Sequence, residues 1–204
     1  MKILLIDNDM AGDRRSWNPY LSEVLEELWD ADVDTLHYLE AGPALDLSCY
    51  DGLVLGSRVA PWDVDHLEDY EAECEVIRLA DKPILGICGG HQLIGKAFGV
   101  PVRRMSPEGK GENGYRVVRP VSNHPIFSGV EEVSLLVREF HTDCVPSLPR
   151  GFDLLASSRR CQVQMIAHRE RPILGMQFHP ERYTNKKPLG RVLLLNARKM
   201  FLRS

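Results

Sequence analysis

Hydrophobic and polar positions follow two different periods along the first hundred residues. Short apolar runs in KILLID, YDGLVLG and KPILGIC predict buried strands, and DVDTLHYL predicts a weaker one. Between these runs, apolar residues recur at helical spacing over three segments. The first follows the N-cap pair Asn18-Pro19, and the other two span 65–80 and 91–98. Strands alternating with helices predict a parallel sheet covered by helices on both faces.

The second half of the chain is richer in strand-like segments: GYRVVRP, VSLLVREF, FDLLASS, CQVQMIAH and PILGMQF. In CQVQMIA, the residues Cys161, Val163 and Met165 alternate with glutamines, which indicates packing positions on one face of a strand. A last helix is predicted over 188–202. We expect a single α/β domain over 1–204, with an open, mostly parallel sheet and an added antiparallel region in the C-terminal half.

Composition narrows the class of protein. The 204 residues are 44% hydrophobic and carry a net charge of -4, which is ordinary for a globular protein and gives no reason to expect nucleic-acid binding. No apolar run approaches the roughly 20 residues of a membrane helix, and the start does not resemble a secretory signal. The five cysteines include no C-x-x-C pair, which favours reduced cytoplasmic thiols over disulfides or a zinc site.

Cys88 stands where a buried strand meets the start of a helix, in the sequence PILGICGGHQLIG. A residue at such a junction projects beyond the strand's carboxyl end on a sharp turn, as a nucleophile does. Gly86, Gly89 and Gly90 relieve crowding there, and the helix N-terminus favours the thiolate. The N–H of Gly89 lies next to the nucleophile and is a candidate oxyanion donor. A buried structural cysteine is the alternative interpretation of this pattern alone.

A thiol nucleophile needs a base, and the segment GMQFHPERY offers one in His179 with Glu181 as its orienting partner. The two residues are separated by one position, so in an extended segment their side chains leave on the same side. Pro180 favours an extended backbone at His179. A carboxylate bonded to one ring nitrogen leaves the other nitrogen to face the thiol. A surface His-Pro-Glu turn is the alternative.

These motifs resemble those of the class I glutamine amidotransferases, a triad-type family that releases ammonia from glutamine. The family's G-x-C-x-G-x-Q motif is matched by Gly86, Cys88, Gly90 and Gln92, and its base motif is matched by QFHPE. The segments HTDCV and LPRGF are most similar to the amidotransferase part of GMP synthase and its single-domain relatives. The resemblance implies that the chain around Phe140 and His141 lies against bound glutamine, and that Gln92 holds the amino-acid end.

Two further groups of residues each allow more than one interpretation. His141 and Asp143 are substrate-site candidates, and a capped turn between strands is the alternative. The oxyanion loop after DGLVL departs from the family's usual Gly-Gly-Pro pattern, because Gly56 is followed by Ser57 and Arg58. A backbone N–H remains at each position, so the loop can still supply a donor. Arg58 could instead meet a substrate carboxylate, or be a solvated surface arginine.

The resemblance implies hydrolysis of the glutamine amide through a γ-glutamyl thioester, with Cys88, His179 and Glu181 as the triad and no metal or other cofactor. The chain contains no P-loop and no G-x-G-x-x-G, so a separate ATP-dependent synthetase is the expected partner and ammonia acceptor. One alternative is a stand-alone hydrolase of γ-glutamyl peptides or conjugates. Another is a catalytically degenerate polypeptide with a binding or regulatory role. Neither a nucleic-acid partner nor a membrane is expected.

Overall fold

A nine-stranded sheet forms the centre of the described structure. The computed structural model describes residues 1–10, 14–62 and 67–202. Its strands in the first half are β1 (Lys2–Asp7), β2 (Asp32–His37), β3 (Gly52–Leu55), β4 (Ile84–Ile87) and β5 (Arg103–Arg104). Those in the second half are β6 (Glu112–Pro120), β7 (Leu135–His141), β8 (Asp143–Cys144), β9 (Phe152–Ser157), β10 (Met165–His168) and β11 (Ile173–Met176).

Parallel pairing joins β2, β1, β3, β4 and β11, while β10, β9, β6 and β7 continue the sheet in antiparallel pairs. The short strands β5 and β8 form a separate antiparallel pair. The predicted fold class, a mostly parallel sheet with an added antiparallel region, is confirmed. The central strands are buried from end to end, because helices cover both of their faces.

Within the described residues, four α-helices complete the layers: α1 (Asn18–Trp29), α2 (Glu71–Leu79), α3 (Gly89–Ala97) and α4 (Leu189–Phe201). Apolar side chains of α1 and α4 pack into one core cluster, and those of α2 and α3 pack into the cluster on the opposite face. In the described ranges, none of the helices combines the length and apolar character required to cross a bilayer.

Local predictions differ from the structure at three places. Trp17, rather than Asn18, precedes the first turn of α1, and the Asn18 side chain serves a tertiary contact instead of a cap. The helix expected over 65–80 begins at Glu71 after a 3-10 turn, and residues 63–66 lie outside the described chain. The strand expected from Cys161 begins only at Met165. Gln164, which was expected on the face opposite to Val163 and Met165, is buried as they are.

Two neighbouring parallel strands bring the predicted chemistry to one edge of the sheet. In the register of β4 and β11, Ile87 lies beside Met176. The backbone N–H of Cys88 donates to the Met176 carbonyl at 2.8 Å, so the pairing extends one residue beyond β4. Carboxyl ends of parallel strands meet at the same edge of a sheet, where open α/β folds hold their sites.

Candidate active site

Cys88 lies on a strained turn between β4 and α3. Its backbone has φ 51° and ψ -99°, a region that side-chain-bearing residues rarely occupy. The turn is tight because a Cβ at Gly90 would lie 2.2 Å from the Leu55 carbonyl oxygen, so only glycine fits there. The thiol is buried at the N-terminus of α3, where unpaired N–H groups point outward. The predicted backbone geometry of a strand-end nucleophile is therefore present.

His179 and Glu181 form a buried pair beyond the end of β11. The His179 Nδ1 atom lies 2.7 Å from Oε1 of Glu181, and both side chains are almost fully buried. Their contact does not come from an extended segment, and that expectation is wrong. Glu181 belongs to a 3-10 turn over Pro180–Arg182, which folds its carboxylate back onto the ring that precedes the turn.

The second ring nitrogen of His179, Nε2, is the one that does not contact Glu181. Its Nε2 atom makes no hydrogen bond within the described residues, whereas the ring interacts with the Cys88 side chain. Burial lowers the pKa of His179, but the interactions with Glu181 and Cys88 outweigh burial and raise the pKa to about 10. The imidazole is therefore held in its protonated form at neutral pH.

Two further groups contact the Cys88 sulfur. The Phe140 carbonyl oxygen lies 3.8 Å from Sγ, and Nε2 of Gln177 lies at the same distance. Phe140 belongs to β7, so the antiparallel half of the sheet supplies one wall of the site. Sequence reasoning assigned Phe140 to this place and missed Gln177, although Gln177 stands two residues before the base in the QFHPE motif.

Gln92 lines the cavity beside Cys88, but its amide is bonded within the protein. Its Nε2 donates to the Asp143 carbonyl at 2.7 Å and to Oε1 of Gln177 at 3.1 Å, and its Oε1 accepts from the Trp62 indole N–H. This amide joins three segments of the cavity wall. Its contribution in the described structure is to position those segments.

His141 and Asp143 stand at the junction of β7 and β8, and both line the same cavity as Cys88. The His141 Nδ1 lies 2.9 Å from the Asp143 carbonyl, while Nε2 faces the carboxylates of Glu139 and Glu112 at 3.0 and 3.6 Å. Burial lowers the pKa of His141, but these two carboxylates raise it to about 10. Neither glutamate was expected from the sequence.

Two backbone N–H groups in the loop after β3 donate to acceptors away from the Cys88 turn. The Gly56 N–H donates to the Ile6 carbonyl at 2.8 Å, and the Ser57 N–H donates to Oδ1 of Asn18 at 2.8 Å. Both of these oxyanion candidates are therefore committed to other acceptors. The nitrogen of Arg58 instead lies 2.8 Å from the position that a Cβ on Gly89 would take, directly beside the turn that carries Cys88.

The Arg58 side chain is only 6% exposed, so its interpretation as a solvated surface arginine is wrong. Its guanidinium donates to the Asn8 carbonyl and to the Tyr70 hydroxyl, and it lies 4.8 Å from the Trp62 ring centroid. These contacts place a buried positive charge in the wall of the Cys88 cavity. Arg58 therefore also packs the loop against the 3-10 turn that precedes α2.

Trp17 covers His179 from the outer side and was not singled out from the sequence. Its ring centroid lies 4.6 Å from that of His179 in an edge arrangement and 5.0 Å from that of Phe140 in a stacked one. The Arg182 guanidinium lies 4.6 Å from the Trp17 ring centroid. An aromatic residue immediately before a predicted helix was the signal available, but the sequence does not say what such a residue covers.

These walls enclose a cavity of about 230 Å³ with Cys88 in its lining. Its other lining residues are Arg58, Val59, Ala60, Pro61, Trp62, Gln92, Gly111, Glu112, Asn113, Phe140, His141, Thr142 and Asp143. A strained strand-end cysteine facing a carboxylate-bound imidazole is the arrangement that thiol-dependent acyl-transfer enzymes use.

Comparison with known proteins identifies the family. The Glutamine amidotransferase class-I family matches residues 35–194, and the chain belongs to that family. A relative from Archaeoglobus fulgidus, named as a subunit of glutamine-hydrolyzing GMP synthase, is 33% identical over 184 residues, covering 90% of each chain. The Thermoplasma acidophilum protein of the same name is 36% identical over 181 residues, covering 89% of this chain and 84% of that one.

Solved structures agree with this assignment. A Thermoplasma acidophilum crystal structure, described as that of a GMP synthase subunit, superposes with a TM-score of 0.83 at 32% identity, covering 100% of this chain and 94% of that one. A glutamine amidotransferase from Thermotoga maritima superposes with a TM-score of 0.79 at 19% identity, covering 100% and 99% of the two chains. The second similarity is one of fold. The predicted membership of the class I glutamine amidotransferases is therefore confirmed.

Proposed function

We propose that this protein hydrolyses the side-chain amide of glutamine through Cys88, His179 and Glu181. One arrangement of side chains supports the proposal. A thiol on a strained strand-end turn interacts with the ring whose far nitrogen lies 2.7 Å from a buried carboxylate. The cysteine comes from a distant part of the chain, and a cavity of the size of a small metabolite has Cys88 in its lining.

In the first half-reaction, the Cys88 thiolate attacks the amide carbonyl carbon of glutamine. A C–S bond forms, and the carbonyl π electrons move to the oxygen. When the tetrahedral intermediate collapses, the C–N bond breaks and the His179 imidazolium gives its proton to the leaving nitrogen. The products are ammonia and a γ-glutamyl thioester on Cys88.

In the second half-reaction, water hydrolyses the thioester. Acylation removes the thiolate that contributes to the raised pKa of His179, so the ring, which has given its proton to ammonia, remains neutral more readily and can accept a proton from water. His179 takes a proton from water, the resulting hydroxide attacks the carbonyl, and the C–S bond breaks to release glutamate. Glu181 keeps Nδ1 protonated throughout, so that Nε2 is the nitrogen that exchanges protons.

The oxyanion is held by the N–H groups of Gly89 and Arg58 in this proposal. Gly89 is the first residue of α3, where an N–H has no acceptor within the helix. The Arg58 nitrogen lies against the same turn, 2.8 Å from the position that a Cβ on Gly89 would take. Among the four oxyanion donors predicted from the sequence, this proposal retains Gly89 and Arg58. The N–H groups of Gly56 and Ser57 donate to Ile6 and Asn18 and hold the loop in place.

The ammonia goes to a separate ATP-dependent synthetase in this proposal, of the GMP synthase type. Support comes from the two relatives named as subunits of glutamine-hydrolyzing GMP synthase, which align over nearly the full chain. In this role, the protein supplies nitrogen for amination of a purine nucleotide, and the synthetase carries out that amination.

Ammonia release from glutamine tests the hydrolytic step, measured with the wild type and with Cys88→Ala, alone and beside a GMP synthase-type synthetase. Cys49→Ala is the matched control, since Cys49 is exposed and lies outside the cavity. We expect Cys88→Ala to abolish release and Cys49→Ala to match the wild type. Inactivity of the wild type in both settings would contradict the proposal. Faster turnover of γ-glutamyl p-nitroanilide than of glutamine would favour a γ-glutamyl hydrolase instead.

A further inference from the structure

Three buried side chains converge on one face of the β6–β7 pair. Glu112 opens β6 and is the direct partner of His141 at the end of β7. Glu139 precedes His141 by two residues on the same strand, so the two side chains share a face. All three are at least nine-tenths buried, and Glu139 is completely inaccessible.

Their polar atoms face one another at ion-pair distances. The His141 Nε2 atom lies 3.0 Å from Oε2 of Glu139 and 3.6 Å from Oε2 of Glu112, and one potential ligand atom from each residue lies within 4.8 Å of the other two. Within the described chain, none of these atoms has a hydrogen-bond partner, and Oε1 of Glu139 lacks one as well. Buried polar atoms in native proteins are normally satisfied, so this group is incomplete as it stands.

The Nδ1 atom of His141 has the hydrogen-bond partner that is common in metal-binding histidines. Nδ1 lies 2.9 Å from the Asp143 carbonyl, which can only accept, so Nδ1 carries the proton of the neutral ring. When a bound cation displaces the second proton of the imidazolium, the Nε2 lone pair lies beside the two carboxylates as the third ligand. Metal-bound histidines commonly donate their other N–H to a backbone carbonyl in this way.

The charges of the three side chains also favour a bound cation. Two carboxyl groups face the same ring nitrogen, whereas one imidazolium can compensate only one negative charge. A divalent cation would neutralise both carboxylates. Two ligands each about 2.1 Å from one ion, at angles of about 90–109°, lie about 3.0–3.4 Å apart. The distances of 3.0 and 3.6 Å are close to that spacing.

We propose that Glu112, Glu139 and His141 bind a divalent cation with mixed nitrogen and oxygen preference, with Zn²⁺ as the first candidate. Glu112 and His141 also line the Cys88 cavity, which gives the ion a route to the site. The cation ties the start of β6 to the end of β7, next to Phe140, and is structural. The cysteine spacing that argues against a zinc site does not bear on this set, because no cysteine is among its ligands.

Metal content after equilibrium dialysis against ZnCl₂ tests this inference independently of glutaminase activity. A Cys88→Ser background prevents binding by the active-site thiol. We expect about one equivalent of zinc per chain in that background. Adding Glu139→Gln or Glu112→Gln should reduce binding at least tenfold, because each removes an anionic ligand. Adding Glu132→Gln is the control, since Glu132 is exposed in the loop before β7.

X-ray absorption of the zinc-loaded Cys88→Ser protein provides a readout that does not depend on how the other variants fold. Nitrogen and oxygen ligands at about 2.0–2.2 Å, with an imidazole contribution, are expected. A sulfur shell at about 2.3 Å would assign the ion to other cysteines and overturn the proposal. So would retention of zinc in a folded Glu139→Gln variant, or absence of binding above a surface-bound background. In that last case, the cluster is an imidazolium held between two carboxylates.

Discussion

The backbone N–H of Ser57 donates to the side-chain Oδ1 of Asn18 at 2.8 Å, and the Ser57 hydroxyl donates to the same oxygen at 3.1 Å. The Asn18 amide in turn donates to the Ser57 carbonyl at 3.0 Å and to Asp7. One buried amide thereby attaches the loop after β3 to the end of β1. It also orients the next peptide, whose N–H belongs to Arg58.

Asn18→Ala should reduce kcat for glutamine hydrolysis by about 10- to 100-fold, because a small displacement of an oxyanion donor weakens transition-state stabilisation. KM should change less, since the cavity lining does not include Asn18. Leaving the loop's buried groups unpaired should also cost about 1–3 kcal/mol of unfolding free energy. Steady-state kinetics and urea unfolding measure the two effects.

Asn196→Ala is the matched control for that variant. The Asn196 amide donates to the carbonyls of Ile126 and Ser128, and none of these three residues lines the Cys88 cavity. Its loss should lower stability without lowering kcat. Equal kinetic losses in the two variants would show that Asn18 acts through general stability alone.

Glu181→Gln should reduce glutamine hydrolysis by about 10²- to 10⁴-fold, because His179 loses the carboxylate that holds its tautomer and charge. The variant also tests the raised pKa of His179. The pairing stabilises the folded state fully below pH about 6.5 and is lost as pH rises through about 10.

The stability difference between wild type and Glu181→Gln should therefore be largest near pH 6 and shrink toward pH 10. Urea unfolding at a series of pH values measures it. A difference that stays constant over this range would show that the carboxylate does not raise the pKa of His179.

Glu73→Gln should stabilise the protein at alkaline pH. Glu73 is inaccessible in α2, and burial raises its pKa to about 8, with a smaller opposing effect from Asn8. Its protonated form stabilises the folded state fully below pH about 4.5, and that contribution disappears as pH rises through about 8. A neutral amide avoids the loss, so the variant should gain about 2–5 kcal/mol relative to wild type between pH 4.5 and 9.

Thermal or urea unfolding across this range checks the prediction for Glu73. Glu75→Gln is the control, since Glu75 is exposed on the same helix. Its stability should follow the wild-type pH profile. Parallel profiles for Glu73→Gln and wild type would mean that the carboxyl group titrates as it does in the unfolded chain.

Trp17→Ala should slow glutamine hydrolysis by about 2- to 10-fold, because the edge contact with His179 and the stack on Phe140 hold both groups in place. Trp17→Phe keeps an aromatic ring there and should recover most of the rate. Kinetics of the two variants at saturating glutamine measure the effect. Full activity in the alanine variant would exclude Trp17 from positioning His179.

Local patterns in the sequence were sufficient for several features of this protein. Apolar runs and helical spacing predicted the central strands and most helices, because burial on both faces of a parallel sheet imposes a strong local pattern. The glycines around Cys88 and the proline after His179 reflect backbone constraints that act within a few residues. A resemblance carried by these motifs predicted the family, and the comparisons confirm it.

Long-range contacts decided the remaining features. Whether Gly56, Ser57 or Arg58 presents an N–H to the site depends on Asn18 and Ile6, which belong to distant parts of the chain. The His179–Glu181 contact required a 3-10 turn rather than the extended segment that spacing suggested. The meeting of Glu112 with Glu139 and His141 depends on the register of β6 against β7. The sequence by itself indicated which residues are candidates for the chemistry, whereas the tertiary structure decided their partners, because burial and pairing between distant segments set each group's charge and hydrogen bonds.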